Sequence, residues 1–126
     1  MSRILSGGLA VALGANALAM RLASFWWYSA VPGVIATGAY NPHFVRDIGA
    51  AYLVTAGGLA WFAWRPVQGW PALVAAAAFL VLHAGIHIFD ASCSSNPAAD
   101  LIRDLPGVYL PAVLAAGLAV FARRGA

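Results

Sequence analysis

Four long apolar stretches, separated by short polar or proline- and glycine-containing segments, form the main pattern of this sequence. They extend over about residues 4–22, 42–64, 71–90 and 105–122. Each is close to the roughly 20 residues that a helix needs to cross the hydrocarbon core of a bilayer. The pattern therefore predicts an all-α fold, an integral membrane four-helix bundle in which these stretches are the spans.

Prolines and the residues before them mark where the predicted helices begin. Asn41-Pro42 combines a preferred N-cap residue with a proline at the first helical position, and Asn96-Pro97 repeats that pair ahead of a short surface helix. Pro71 marks the start of span three, and Asp104 is expected to cap span four. Residues 31–40 contain a proline and two glycines and no charge. We therefore expect an irregular segment on the outer side of the membrane between spans one and two.

The composition adds that the chain belongs in a membrane. Of its 126 residues, 63% are hydrophobic and 9% are charged, and the mean hydropathy is +0.82. Soluble domains carry about 25% charged residues, so we expect the lipid bilayer as partner and one transmembrane domain. All basic side chains other than histidine are arginines dispersed beside the spans, so the net charge of +3 does not indicate a nucleic-acid partner. The first stretch is long for a signal peptide, and we interpret it as a retained span.

The arginines also predict the orientation in the membrane. With the N-terminus inside, the cytoplasmic arginines are Arg3, Arg65, Arg123 and Arg124. Only Arg46 and Arg103 then lie outside, and Arg21 is left within the membrane. Cytoplasmic ends carry the excess of basic residues, so the predicted topology is N-in and C-in.

Span three carries the most unusual polar residues. His83, His87 and Asp90 follow one another at intervals of one helical turn and lie on one stripe of a helix. Ionisable side chains at membrane depth are costly and normally face the interior of a bundle. A comparable pair, His43 and Asp47, opens span two.

The predicted topology brings these two stripes together. Spans two and three are joined by a short turn, so we expect them to be antiparallel neighbours. His43 and His87 then lie at similar levels near the outer surface, and Asp47 and His83 lie one turn deeper, roughly 6 Å further in. With both stripes facing the interior, we predict one metal-ligand cluster of His43, Asp47, His83, His87 and Asp90. The candidates to contact a bound cofactor beside it are Arg46, Asp104 and Tyr109.

Three interpretations of this cluster stay open. Neutral imidazoles with carboxylates suit a transition metal ion, Zn, Fe, Cu or Mn, with each carboxylate fixing the tautomer of a histidine. A haem held by one histidine from each span is the second, although two aspartates in the same pocket fit it poorly. The third is a hydrogen-bonded cluster that only holds the helices together.

Part of the chain resembles a known group of proteins. The motifs are Tyr28-x-x-x-Pro32-Gly33-Val34, Thr37-Gly38, Asn41-x-His43-Phe44-Val45-Arg46-Asp47-Ile48-Gly49 with Tyr52, and Leu82-His83 with His87 and Asp90. They resemble uncharacterised small four-span bacterial membrane proteins that are broadly similar to the DoxX-like group. The resemblance implies a multi-pass protein of the bacterial inner membrane and, at most, association with membrane redox enzymes. It supplies no catalytic residue.

The leading functional hypothesis is a transition-metal-binding membrane protein, or an accessory to a redox or metal-handling system. A structural or assembly subunit is the alternative from another class, and a haem- or quinone-binding electron carrier is a further one. An enzyme in its own right stays an open alternative, for which the sequence shows no nucleophile, cofactor-binding loop or general acid/base pair. A larger membrane complex or a homo-oligomer is compatible with the sequence, and Cys93 is interpreted as a free loop thiol.

Overall fold

The computed structural model describes residues 1–124 of the chain. The helices are α1 (Ser2–Leu22), α2 (Ser24–Ala30), α3 (Pro42–Trp64), α4 (Pro66–Ser92), α5 (Pro97–Asp104) and α6 (Leu110–Arg124), with a 3₁₀ turn at Val34–Thr37 and a π-helical turn at Leu105–Tyr109. No strand occurs in the described part, so the all-α prediction is confirmed there. Three helical stretches are long and apolar enough to cross a membrane, Ser2–Leu22, Pro66–Ser92 and Pro97–Ala122.

Two predicted boundaries were wrong. Span three was expected to start at Pro71, but α4 starts at Pro66, and Pro71 lies inside it. The bend is confined to Arg65, and Gly69 N–H already donates to the Arg65 carbonyl, so the helix is established before Pro71. Asp104 was expected to cap span four, yet its side chain makes no capping bond, because α5 continues into α6 through the π-helical turn. The predicted N-cap bonds of Asn41 and Asn96 are confirmed.

The long helices pack in chain order as antiparallel neighbours, α1 on α3, α3 on α4 and α4 on α6. Arg3 Nε donates to the Ala63 carbonyl over 2.8 Å, so the start of α1 meets the end of α3. Trp70 Nε1 donates to the Ala119 carbonyl over 3.0 Å, so the start of α4 meets the end of α6. The core between them consists mostly of alanine and leucine side chains, together with Met20 and two buried aromatic rings, Tyr52 at 5% and Phe62 at 2% exposure.

The segment between α1 and α3 is folded back onto one end of the bundle. Trp27 Nε1 in α2 donates to Asn16 Oδ1 in α1 over 2.8 Å. The Tyr28 hydroxyl donates to the Gly38 carbonyl over 2.7 Å, and the Ser24 and Tyr40 hydroxyls are 2.7 Å apart. These bonds fix a segment that consists of the short helix α2, the 3₁₀ turn and the irregular stretches around them.

Glycine permits a close approach between α3 and α4. Gly69 is buried at the start of α4, and a Cβ added there would lie 2.6 Å from Phe62 Cα and 2.6 Å from Phe62 N. Because those atoms belong to the backbone of α3, no side-chain rotation makes room for a methyl group. The contact between α3 and α4 therefore depends on the absence of a side chain at Gly69.

We expect Gly69→Ala to lower the free energy of unfolding by about 1–3 kcal/mol, because the added methyl forces the two helices apart. Gly85→Ala in the same helix is the matched control, since nothing lies within 4 Å of its added Cβ. There the better helix propensity of alanine should raise stability by up to about 1 kcal/mol. Thermal unfolding in detergent followed by circular dichroism measures both changes. Equal melting temperatures for the two variants would contradict this account of the interface.

Candidate functional site

The candidate site lies where the last turns of α4 meet α5. His87 Nδ1 is 2.7 Å from Asp104 Oδ2, and the exposed fractions of the two side chains are 28% and 9%. A carboxylate has only acceptor atoms, so Nδ1 carries the hydrogen of this bond and a neutral His87 has its Nε2 lone pair free. The pairing orients the imidazole and leaves one ring nitrogen available to a ligand.

Asp104 is held in turn by Arg103. Arg103 Nε donates to Asp104 Oδ1 over 2.7 Å, and a second guanidinium nitrogen donates to Asp104 Oδ2 over 3.2 Å. Arg103 also donates to Asp100 Oδ1 over 2.6 Å. We call the four residues His87, Asp100, Arg103 and Asp104 the Asp104 network. Both carboxylate oxygens of Asp104 are thereby occupied, and the charge of Asp104 has a neighbour of opposite sign.

His83 lies one turn before His87 and extends the site along α4. The two imidazole centroids are 4.8 Å apart. The other side of His83 is enclosed by aromatic rings, with the Tyr52 ring edge-on at 5.5 Å and the Phe79 ring stacked at 5.9 Å. The neighbouring imidazoles are thus positioned by a carboxylate at one end and by aromatic packing at the other.

The prediction that both polar stripes face the interior was wrong for span two. His43 Nε2 lies 3.2 Å from Asp47 Oδ2, but the side chains are 86% and 65% exposed. The stripe that α3 buries contains Val45, Gly49 and Tyr52. Since an α-helix turns about 100° per residue, the histidine and the aspartate point away from that stripe.

The five predicted metal ligands are therefore not gathered in one place. His83 and His87 are adjacent, whereas His43 and Asp47 pair with each other on the surface, and Asp90 is exposed. Within residues 1–124, no three His, Cys, Asp or Glu side chains are placed to hold one metal ion together. The carboxylate that meets His87 is Asp104, which the sequence had placed only among the cofactor-contact candidates.

The other two of those candidates differ in position. Arg46 is exposed, and its backbone carbonyl accepts a 3.4 Å bond from Arg21. Tyr109 lines a shallow apolar groove of about 300 Å³ between α4 and α5, together with Ile88, Leu101, Ile102 and Leu105. Its hydroxyl oxygen is buried and has no hydrogen-bond partner in the described part of the chain.

Asp100 and Arg103 were not among the predicted site residues. The signal for both lies in their spacing. Asp100 and Arg103 are three residues apart in a short helix, the distance at which opposite charges meet on one helix face. Asp104 follows directly, so this spacing could have indicated a charged cluster beside the end of α4.

Comparison of the chain with protein-family models, with curated proteins and with solved structures found no match. The predicted similarity to the DoxX-like group thus stays a prediction that rests on the motifs alone. Over residues 1–124 the chain is a helical protein with three helices long and apolar enough to cross a membrane. At one end of the bundle a carboxylate contacts His87, one helical turn from His83.

We expect Asp104→Asn to lower the free energy of unfolding by about 1.5–3 kcal/mol, because it removes charge-assisted bonds from both Arg103 and His87. Asp90→Asn is the matched control, since Asp90 is exposed at the same end of α4. That exchange should change stability by less than about 0.5 kcal/mol. Chemical or thermal unfolding in detergent compares the two. A larger loss for Asp90→Asn would show that the wrong carboxylate has been assigned to the site.

Proposed function

We propose that this chain is a multi-pass membrane protein that binds a transition metal ion through His83 and His87. The observation that carries the proposal is the 2.7 Å contact between His87 Nδ1 and Asp104, one helical turn from a second imidazole. Histidines four residues apart on a helix lie on one face and can chelate one ion. A carboxylate behind a ligating histidine fixes its tautomer and raises its basicity, and this is the role proposed for Asp104.

Two imidazoles leave open positions in the coordination of Zn, Cu, Fe or Mn. Sites that retain open positions bind water, substrate or a ligand from another molecule, whereas closed four-ligand sites are structural. An incomplete ligand set at the end of a bundle therefore suits the transfer of a metal ion or service to a redox partner. A larger membrane complex or a second copy of the chain would supply the missing ligands.

The second candidate function is structural, and the Asp104 network itself favours it. Arg103, Asp104 and His87 connect α5 to α4 with bonds of 2.7 Å and would hold these helices together without any metal. On this alternative the protein is an assembly subunit of a membrane complex. The two candidates differ in whether Nε2 of His87 and a ring nitrogen of His83 bind a ligand.

We expect His83→Ala and His87→Ala each to abolish stoichiometric binding of the metal, because a single imidazole is a weak ligand. His43→Ala is the matched control and should bind like the wild type, since His43 is 86% exposed and its imidazole contacts Asp47 instead. Metal-free protein in detergent is titrated with Zn, Cu, Fe and Mn, and bound metal is counted by elemental analysis. Binding should weaken as the pH falls through the range in which imidazole protonates, because protonated imidazole cannot coordinate.

A wild-type protein that binds none of these ions, and whose melting temperature is unaffected by them or by a chelator, would contradict the metal proposal and favour the structural one. An absorption spectrum of the purified protein tests the haem alternative. A Soret band in the wild type that is lost in His83→Ala or His87→Ala would show that the bound group is haem and not a metal ion.

The proposed topology has four spans, both termini in the cytoplasm and the histidine pair near the outer face of the bacterial inner membrane. In this proposal α3 is the fourth span, and the support for it is its length of 23 residues and its position between α1 and α4 as an antiparallel neighbour of each. Arg3 bonds to the Ala63 and Trp64 carbonyls, next to Arg65, so these two arginines share one end of the bundle. That end is cytoplasmic by the positive-inside rule.

A membrane-impermeant thiol reagent added to intact cells should label Cys93, because this thiol is exposed beyond the end of α4. The control is Cys93→Ser combined with Gln68→Cys, which moves the thiol to the exposed start of the same helix. That variant should react only after the cytoplasmic side is opened. The reverse pattern of labelling would invert the topology and place the histidine pair near the cytoplasmic face.

A further inference from the structure

Arg103 contacts two residues of its own helix, α5, and a distant part of the chain. Besides its bonds to Asp104 and Asp100, its guanidinium lies against Gly33 in the segment between α1 and α3. A Cβ added at Gly33 would be 2.5 Å from Arg103 Nε and 2.6 Å from Cζ. Gly33 has a φ of +86°, a left-handed conformation that residues with a Cβ rarely adopt. Because Gly33 has no side chain, the guanidinium can lie directly against the backbone of this segment.

We propose that Arg103, seated on Gly33, is the positioning residue of the His83/His87 site. The inference rests on the proposed function, since Arg103 is proposed to fix the tautomer of a histidine that binds the metal ion. Arg103 does not touch the metal position itself. It acts through Asp104, and Asp104 acts on His87.

The physical argument follows the bonds outward from His87. Asp104 selects the tautomer with hydrogen on Nδ1 only while its Oδ2 atom stays directed at the ring. A carboxylate on one rotatable side chain has other orientations, and the two bonds from the Arg103 fork select one of them. Arg103 is itself restrained by Asp100 and by the Gly33 backbone. Removing the fork frees Asp104 to rotate, so His87 should populate both tautomers and lose ligand strength.

The first test compares Arg103→Gln with Arg103→Lys, and with Arg65→Gln as matched control. Arg65 is an exposed arginine at the opposite end of the bundle, stacked 4.7 Å from the Trp64 ring centroid. Long-range ¹H–¹⁵N spectra of the metal-free full chain in detergent report the tautomer of His87, and titration with Zn gives the affinity.

We expect the wild type and Arg65→Gln to hold the Nδ1–H tautomer of His87. Arg103→Gln should show a mixture of tautomers and a Zn affinity lower by roughly 10-fold, the order typical for loss of a partner behind a ligand. Arg103→Lys keeps the charge but not the planar fork, so it should fall between them. Equal tautomer populations and equal affinities in wild type and Arg103→Gln would overturn the proposal.

A second pair of variants tests the contact between Arg103 and the Gly33 backbone without altering any charge. Gly33→Ala pushes on the guanidinium, whereas nothing lies within 4 Å of a Cβ at Gly38, which also has a positive φ of +140°. Both variants strain the backbone, but only Gly33→Ala should reproduce the tautomer mixture of Arg103→Gln. If Gly38→Ala has the same effect, the backbone strain and not the Arg103 contact is responsible, and the role of Gly33 is overturned.

These readouts also separate this inference from the proposed function. A tautomer shift in Arg103→Gln, in a protein whose wild type binds no Zn, supports the positioning role and contradicts the metal site. Zn binding by the wild type that Arg103→Gln leaves unchanged supports the metal site and overturns the positioning role.

Discussion

An ionisable side chain beside the apolar interior of a bundle needs a polar partner, and this requirement organises one end of the molecule. His87 is directed into the contact between α4 and α5 and meets Asp104 at 2.7 Å. Asp104, at 9% exposure, needs a counter-charge, and Arg103 supplies it. Arg103 also donates a hydrogen bond to Asp100 and lies against the backbone at Gly33. Each of these polar groups has the next one as its hydrogen-bond partner or neighbour. The Asp104 network therefore joins α4 to α5, and Arg103 adds a contact with the segment before α3.

The rest of the bundle makes this end possible by bringing helices close together. Glycine at position 69 lets α4 contact the backbone of α3, and buried alanines continue the same close packing along α4. Small residues are the usual means of association for helices in lipid, where apolar burial by itself gives little drive. Because α5 runs into α6 through a π-helical turn, the docking of α6 on α4 also sets where Asp104 meets His87. The position of the site is therefore a consequence of helix packing.

Much of the candidate site could not be predicted from spacing along the chain. The spacing of His83 and His87 placed them on one stripe, and the structure has their rings 4.8 Å apart. His43 and Asp47 have the same spacing, yet the burial of Val45, Gly49 and Tyr52 rotates that pair to the surface. Two polar stripes at equal depth share a site only if the rotation of each helix also agrees, and rotation is decided by which stripe the neighbouring helices cover.

The sequence by itself determined the local features of this protein. Apolar length predicted helices, Asn41 and Asn96 predicted their starts, and helical periodicity predicted the histidine pair. Only the tertiary structure decided that α4 begins at Pro66 and that Asp104, rather than Asp90 or Asp47, meets His87. The physical reason is the distance along the chain over which each kind of interaction acts. Caps and periodicity depend on residues within one or two turns, whereas the partner of a buried charge depends on how separate helices are rotated and packed against one another.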